Sequence, residues 1–167
     1  MMRLSFATAT VEDVPALTKL HARVAADLTE RFGQGGWSRS PSERGVAAGM
    51  RHARVLIAWK GRRVVAALTL QTKKPWAIDI AYCTPVEKAI YVTGMAVEPN
   101  LQRQGIGRAL LEEAAMQARA WPAQALRLDA FDADAGAGGF YAKCGMRNVG
   151  HANTSVQYNA DPAPTLT

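Results

Sequence analysis

Apolar positions change their spacing several times along the chain, and each change marks an element. Leu4-Ser-Phe-Ala-Thr-Ala9 alternates with period two, as a half-buried strand does. Thr10 then reads as a helix N-cap with Asp13 three residues on, and Leu17, Leu20, His21, Val24 and Leu28 recur at helical spacing to about Phe32. Gly33-Gln-Gly-Gly-Trp37-Ser38 interrupts the pattern as a loop, and Ser40-Pro-Ser-Glu43 opens a second helix reaching about His52. Arg54–Trp59 and Val64–Leu70 are apolar runs around Lys60-Gly-Arg-Arg63, which predicts an antiparallel hairpin. Ala77–Tyr82 is less regular and is read either as an extension of the sheet or as a loop beside a pocket.

Tyr91–Val97 is β-branched or apolar almost throughout, a strand stopped by Pro99-Asn100. A loop, Leu101–Gly107, carries two glycines in the spacing Gly105-x-Gly107. Gly107, Leu110, Leu111, Ala114 and Ala118 then recur at helical spacing until Trp121-Pro122. Ala125–Phe131 alternates as another strand. After the small residues of Asp132–Gly139, Phe140–Met146 reads as a short helix ended by Gly145. Asp161-Pro-Ala-Pro-Thr-Leu-Thr167 has the composition of a frayed tail, so residues 1–160 are expected to form a single domain.

The central stretch has chemical content. A strand, a glycine loop and a helix in that order gather unpaired N–H groups at the positive end of a helix dipole, which suits an anion. Arg103 and Arg108 flank it, so a pyrophosphate suits it better than a lone carboxylate. The alternative is an ordinary β-α turn whose glycines serve packing. Neither common nucleotide motif fits, because Gly107 is followed by Arg108-Ala109 rather than Lys-Ser/Thr, and a dinucleotide fingerprint needs a third glycine.

Composition narrows the field. The chain has 167 residues, 49% hydrophobic and 20% charged, the profile of one soluble domain. It shows no apolar run of membrane-span length and no signal-peptide pattern at Met1–Thr10, so a cytoplasmic location and no membrane partner are expected. Cys83 and Cys144 fit no metal spacing, so reduced thiols and no metal site are expected. The net charge of +6 suits a polyanion. Its carriers (Arg39, Arg44, Arg51, Arg54, Arg62, Arg63, Lys73, Lys74) are scattered, without a dense tract or interleaved aromatics, which argues against nucleic acid.

Gln102-Arg103-Gln104-Gly105-Ile106-Gly107 resembles the acyl-CoA motif Gln/Arg-x-x-Gly-x-Gly/Ala of the GNAT superfamily of N-acetyltransferases, and Met95-Ala-Val-Glu-Pro99 resembles the end of that family's splayed fourth strand. Asp134, Ala137, Phe140, Tyr141, Gly145 and Met146 occupy the places of its Asn-x-x-Ala-x-x-Leu-Tyr-x-x-x-Gly-Phe, with Asp for Asn and Met for Phe as departures. The resemblance covers about Tyr91–Val149, and the first ninety residues only in the order of elements. It implies an α/β (α+β) fold: a central mixed, largely antiparallel twisted sheet of six or seven strands, flanked by about four helices and splayed between strands 4 and 5.

It also implies an acetyl-CoA-dependent N-acetyltransferase, releasing CoA, for a primary amine of a small molecule or an exposed protein amine. The backbone of Met95, Ala96 and Val97 would hold the pantetheine, with Val97 N–H facing the thioester oxygen. Gln102, Arg103, Gln104, Gly105, Ile106, Gly107 and Arg108 would form the pyrophosphate site, and Asp134 and Ala137 would flank the pantetheine arm. Tyr141, a phenol with an ordinary pKa of about 10, is the candidate acid for the departing sulfur, the alternative being that Phe140-Tyr141 packs the short helix. Trp37, Trp76 and Tyr91 suggest an aromatic-lined acceptor pocket, and Trp37 reads equally as an anchor of its loop.

The base is unassigned. The fourth-strand position where some members carry glutamate is Tyr91 here, and Glu98 lies at the strand's end beside the pyrophosphate. Asp79, Glu87 and His21 remain, with a water relay as another route, and His21 reads first as a satisfied core histidine. Two further readings stand beside this one: an acyl-CoA-binding regulatory module without turnover, and a nucleic-acid binder whose affinity falls steeply with salt. A homodimer is compatible with the family.

Overall fold

The computed structural model describes residues 3–152 and 155–160; the expected tail at 161–167 lies outside them. Strand β1 (Ser5–Thr8) is followed by a 3-10 turn at Val11–Asp13 and helix α1 (Val14–Phe32). Thr10 N–H donates to Asp13 Oδ2 at 2.8 Å, the reciprocal half of the expected capping pair. Helix α2 (Glu43–Gly49) starts where Ser42 Oγ accepts from Gly45 N–H at 3.1 Å. It stops short of His52, at a glycine of poor helix propensity.

Strands β2 (Arg54–Lys60) and β3 (Arg63–Gln71) flank the expected turn, β4 (Ala89–Val97) leads to helix α3 (Ile106–Ala120), and β5 (Ala125–Phe131) to the short helix α4 (Gly138–Lys143). Strands β6 (Arg147–Ala152) and β7 (Ser155–Ala160) complete a seven-stranded sheet in the order β1-β2-β3-β4-β5-β7-β6. The β1–β2, β5–β7 and β6–β7 pairs are antiparallel, and β4–β5 is parallel. That parallel register runs only from Ala89↔Ala125 to Tyr91↔Arg127, and both strands continue beyond it, which is the expected parting of strands 4 and 5. The fold is the expected one of four helices on a mixed sheet.

The chain groups into two compact units. The first, residues up to Thr69 with Gly94–Leu111, packs Leu17 and Leu20 of α1 onto Val55, Ile57, Val64, Ala67 and Ala96. Each such leucine contributes about 1.5–3 kcal/mol by leaving water. The second, Leu70–Thr93 with residues from Glu112 onward, has Leu126 and Leu128 of β5 and Tyr158 of β7 buried. There the ambiguous stretch resolves as a loop with a 3-10 turn at Ile80–Tyr82, capped by Asp79 Oδ1 accepting from Ala81 N–H at 2.9 Å. No helix among the described residues is long and apolar enough to cross a membrane.

Candidate functional site

In the first unit, β4 is broken by an exposed Gly94 with φ +61°, a left-handed conformation inside a strand. A Cβ built there would lie 3.7 Å from Thr69 Oγ1 and 3.9 Å from His21 Cε1, so the dihedral rather than the space calls for glycine. Beyond the break, Glu98 N–H donates to Val65 O of β3 at 2.8 Å. Because successive groups of a strand point to opposite sides, Val97 N–H then points away from β3. Gln102 Nε2 donates to Val97 O at 3.2 Å and so ties the loop to the strand. Ala96 is buried, while Met95 and Val97 are partly exposed.

The loop that follows has two left-handed residues, Arg103 at φ +63° and Gly105 at φ +88°. Left-handed residues in a turn make successive N–H groups converge into an anion-binding concavity. Ala109 N–H donates to Gly105 O at 3.0 Å as the first bond of α3, so the N–H groups of Ile106, Gly107 and Arg108 precede the helical ladder. The buried Ile106 anchors the helix start, while Arg103, Gln104 and Gly105 are exposed. A Cβ on Gly105 would meet nothing within 4 Å, so space lies open in front of the loop. Met95–Val97 and Gln102–Arg108 are thus brought together by one strand-loop-helix unit.

Glu98 has a structural part. It is 3% exposed, Arg23 Nε donates to its two oxygens at 2.9 and 3.0 Å, and Arg23 Nη2 and Arg63 Nη2 approach Oε2 at 2.7 and 3.4 Å. A carboxylate so engaged braces α1 and β3 against the end of β4 and is no free base. Glu98→Ala is expected to destabilise the protein by about 1–3 kcal/mol in urea unfolding. That is below the usual loss for a broken buried pair because both guanidiniums, 43% and 55% exposed, regain water.

In the second unit, Tyr141 of α4 is 5% exposed, its ring 5.2 Å from that of Phe140 and 5.8 Å from that of Tyr158. Burial pushes its phenol pKa well above the ordinary value, and the charge of Asp129 and the Cys144 thiol push the same way. Asp129 on β5 is itself raised by burial, against a hydrogen bond from Ser155 and its own backbone N–H. Asp129 does not stand out in the chain pattern; its only signal is a lone acid at a half-buried place in the alternating strand Ala125–Phe131. The helix ends at Gly145, whose N–H donates to Ala142 O at 3.0 Å, while Met146 N–H donates to Tyr141 O at 3.1 Å. Asp134 and Ala137 are exposed in the segment before α4.

Each of the remaining candidates has its own local setting. Trp37 Nε1 donates to Gly33 O at 2.9 Å and the indole lies against Gly35, so the ring is pinned to its own loop. Trp76 is 76% exposed. Tyr91 is 6% exposed and its hydroxyl accepts from Arg127 Nη1 at 3.4 Å. Asp79 is used as a cap, and Glu87 is an exposed loop residue. His21 departs from the expectation of a satisfied core histidine: it is half-buried, burial lowers its pKa, and no described residue hydrogen-bonds its ring.

Known proteins resemble this chain in fold and in family pattern. A PaiA N-acetyltransferase from Thermoplasma acidophilum in complex with coenzyme A superposes with a TM-score of 0.75 at 12% identity, over 96% of this chain and 99% of that one. The ribosomal-protein-S18-alanine N-acetyltransferase from Escherichia coli gives 0.70 at 17% identity, over 98% and 96%. A GNAT-family acetyltransferase from Listeria monocytogenes gives 0.76 at 15%, over 96% and 95%. No curated protein matches the sequence. The model of the acetyltransferase (GNAT) family matches residues 22–146, three quarters of the chain including the loop after β4, and the protein therefore belongs to the acetyltransferase (GNAT) family.

Proposed function

We propose that the protein is an acetyl-CoA-dependent N-acetyltransferase, acting on a primary amine of a small molecule or an exposed protein amine by direct attack. The observation that carries this reading is the loop after β4: two left-handed residues, Arg103 and Gly105, before a helix N-terminus that carries Arg108 in its first turn, in a chain of an acetyltransferase family. Acetyl-CoA supplies the activated acetyl group and CoA is the product. The N–H groups from Gln104 to Arg108 hold the pyrophosphate, and Arg103 and Arg108 balance its charge. Gln102 braces this loop against the strand.

The backbone of Met95, Ala96 and Val97 holds the pantetheine as an added half-strand, and Val97 N–H, turned away from β3, donates to the thioester oxygen. Asp134 and Ala137 flank the pantetheine arm, where Asp134 accepts a hydrogen bond. Tyr141 donates to the departing sulfur. Its raised pKa keeps the phenol protonated, so it acts as a hydrogen-bond donor to the thiolate rather than by giving up its proton, and Asp129 reinforces that state.

Calorimetric titration with acetyl-CoA tests the reading. Heat corresponding to micromolar or tighter binding, with competition by CoA, is expected. No heat and no competition would make the loop an ordinary β-α turn and end the acetyltransferase reading.

A further inference from the structure

An amine acceptor reaches an enzyme at neutral pH as an ammonium ion, and the groups assigned above leave its proton without a destination. Gly94 is the one residue of β4 without a side chain, and it stands exposed and left-handed directly before Met95–Val97. His21 Cε1 and Thr69 Oγ1 both reach the position that a Gly94 Cβ would take, at 3.9 and 3.7 Å. We propose that His21, beside the Gly94 break, is the general base that takes the proton from the acceptor ammonium, with the Thr69 hydroxyl orienting the amine.

The surroundings suit that role. On α1 the neighbours of His21 at three and four residues are Leu17, Thr18, Val24 and Ala25, and Thr69 shares the space at Gly94 with its Cε1; none of these is charged. Neither ring nitrogen is hydrogen-bonded by a described residue. Burial lowers the imidazole pKa, which keeps the ring neutral, with a free lone pair, at neutral pH. Asp129 is the poorer base, because Ser155 and its own backbone N–H already occupy its oxygens.

The step balances. The imidazole takes one proton from the ammonium, and the freed nitrogen lone pair forms the N–C bond to the acetyl carbon. The C–S electron pair leaves on sulfur, and the second surplus proton of the nitrogen passes through solvent to that thiolate, giving the neutral amide and the CoA thiol. The imidazolium then returns its proton to solvent.

This inference rests on the acetyltransferase reading, and the experiment separates the two. Release of CoA from acetyl-CoA is followed against pH with benzylamine, with a peptide starting with alanine and with water alone as acceptors. Wild type, His21→Gln and Asp129→Asn are compared, each checked by circular dichroism and by acetyl-CoA titration. Wild-type kcat/KM is expected to fall as pH drops through a midpoint below the ordinary histidine value of 6.5, matching the His21 ring titration by NMR. His21→Gln should bind acetyl-CoA normally, lose about 10²–10⁴-fold in rate and lose that acidic limb. A limb and rate unchanged in His21→Gln, or a limb lost only in Asp129→Asn, overturns His21 as the base and leaves the transferase reading standing. Acetyl-CoA bound without CoA release from any acceptor overturns both.

Discussion

Gly105→Glu is expected to lower the affinity for acetyl-CoA and CoA by about 100-fold or more, with the fold retained. Two effects add. A side chain at φ +88° costs about 1–2 kcal/mol of backbone strain in the loop that aims the N–H groups. The new carboxylate projects into the open space in front of the loop, where the pyrophosphate is to sit, and cancels one of the two flanking arginine charges. Losing even one or two charge-assisted hydrogen bonds, at about 1.5–3 kcal/mol each, exceeds the 1.4 kcal/mol that corresponds to tenfold in affinity. Gly105→Ala separates the effects: it keeps the strain without the charge, so its loss should be nearer tenfold. CoA binding that survives Gly105→Glu would remove the loop from the cofactor site.

Tyr141→Phe is expected to reduce kcat by about 10²-fold while the affinity for acetyl-CoA changes little, since the ring still packs between Phe140 and Tyr158 and only the hydroxyl is lost. An equal rise in KM with kcat preserved would make the hydroxyl a binding contact instead. The raised phenol pKa adds a stability signature. Because the folded protein holds this proton beyond the unfolded value of 10.0, the contribution is fully present below pH 10 and is lost as pH rises through the higher folded pKa. Urea unfolding above pH 10 should therefore show a steeper fall in stability for wild type than for Tyr141→Phe.

Elements with a strong local pattern were legible along the chain: the Thr10–Asp13 pair ahead of α1, the hairpin strands β2 and β3, β5, and α3 with its buried Leu110, Leu111, Ala114 and Ala118. Strands β6 and β7 were not. Strand β7 alternates polar Ser155, Gln157 and Asn159 with apolar Val156, Tyr158 and Ala160, a pattern that suggests one face in water, yet it is buried along its whole length. Its polar groups are satisfied at long range: Gln157 Nε2 donates to Asp79 O at 3.0 Å, and Asn159 Oδ1 accepts from Arg127 Nε at 2.9 Å. The same Asp79–Gln157 contact holds the Ala77–Tyr82 stretch as a loop, and strand β7 lies between β5 and β6, an order that no local signal carries.

For the candidate site the division follows the same line. The sequence by itself determined the strand-loop-helix at Tyr91–Trp121, with glycine at Gly105 and arginines on either side, and the short helix that carries Tyr141, because dihedral preference and periodicity belong to neighbours in the chain. Only the tertiary structure decided that Glu98 is neutralised by Arg23 and Arg63, that Asp129 bears on Tyr141, and that His21 meets the break at Gly94. The state of an ionisable side chain depends on the water it loses and the charges it gains on folding, and both come from residues far away along the chain.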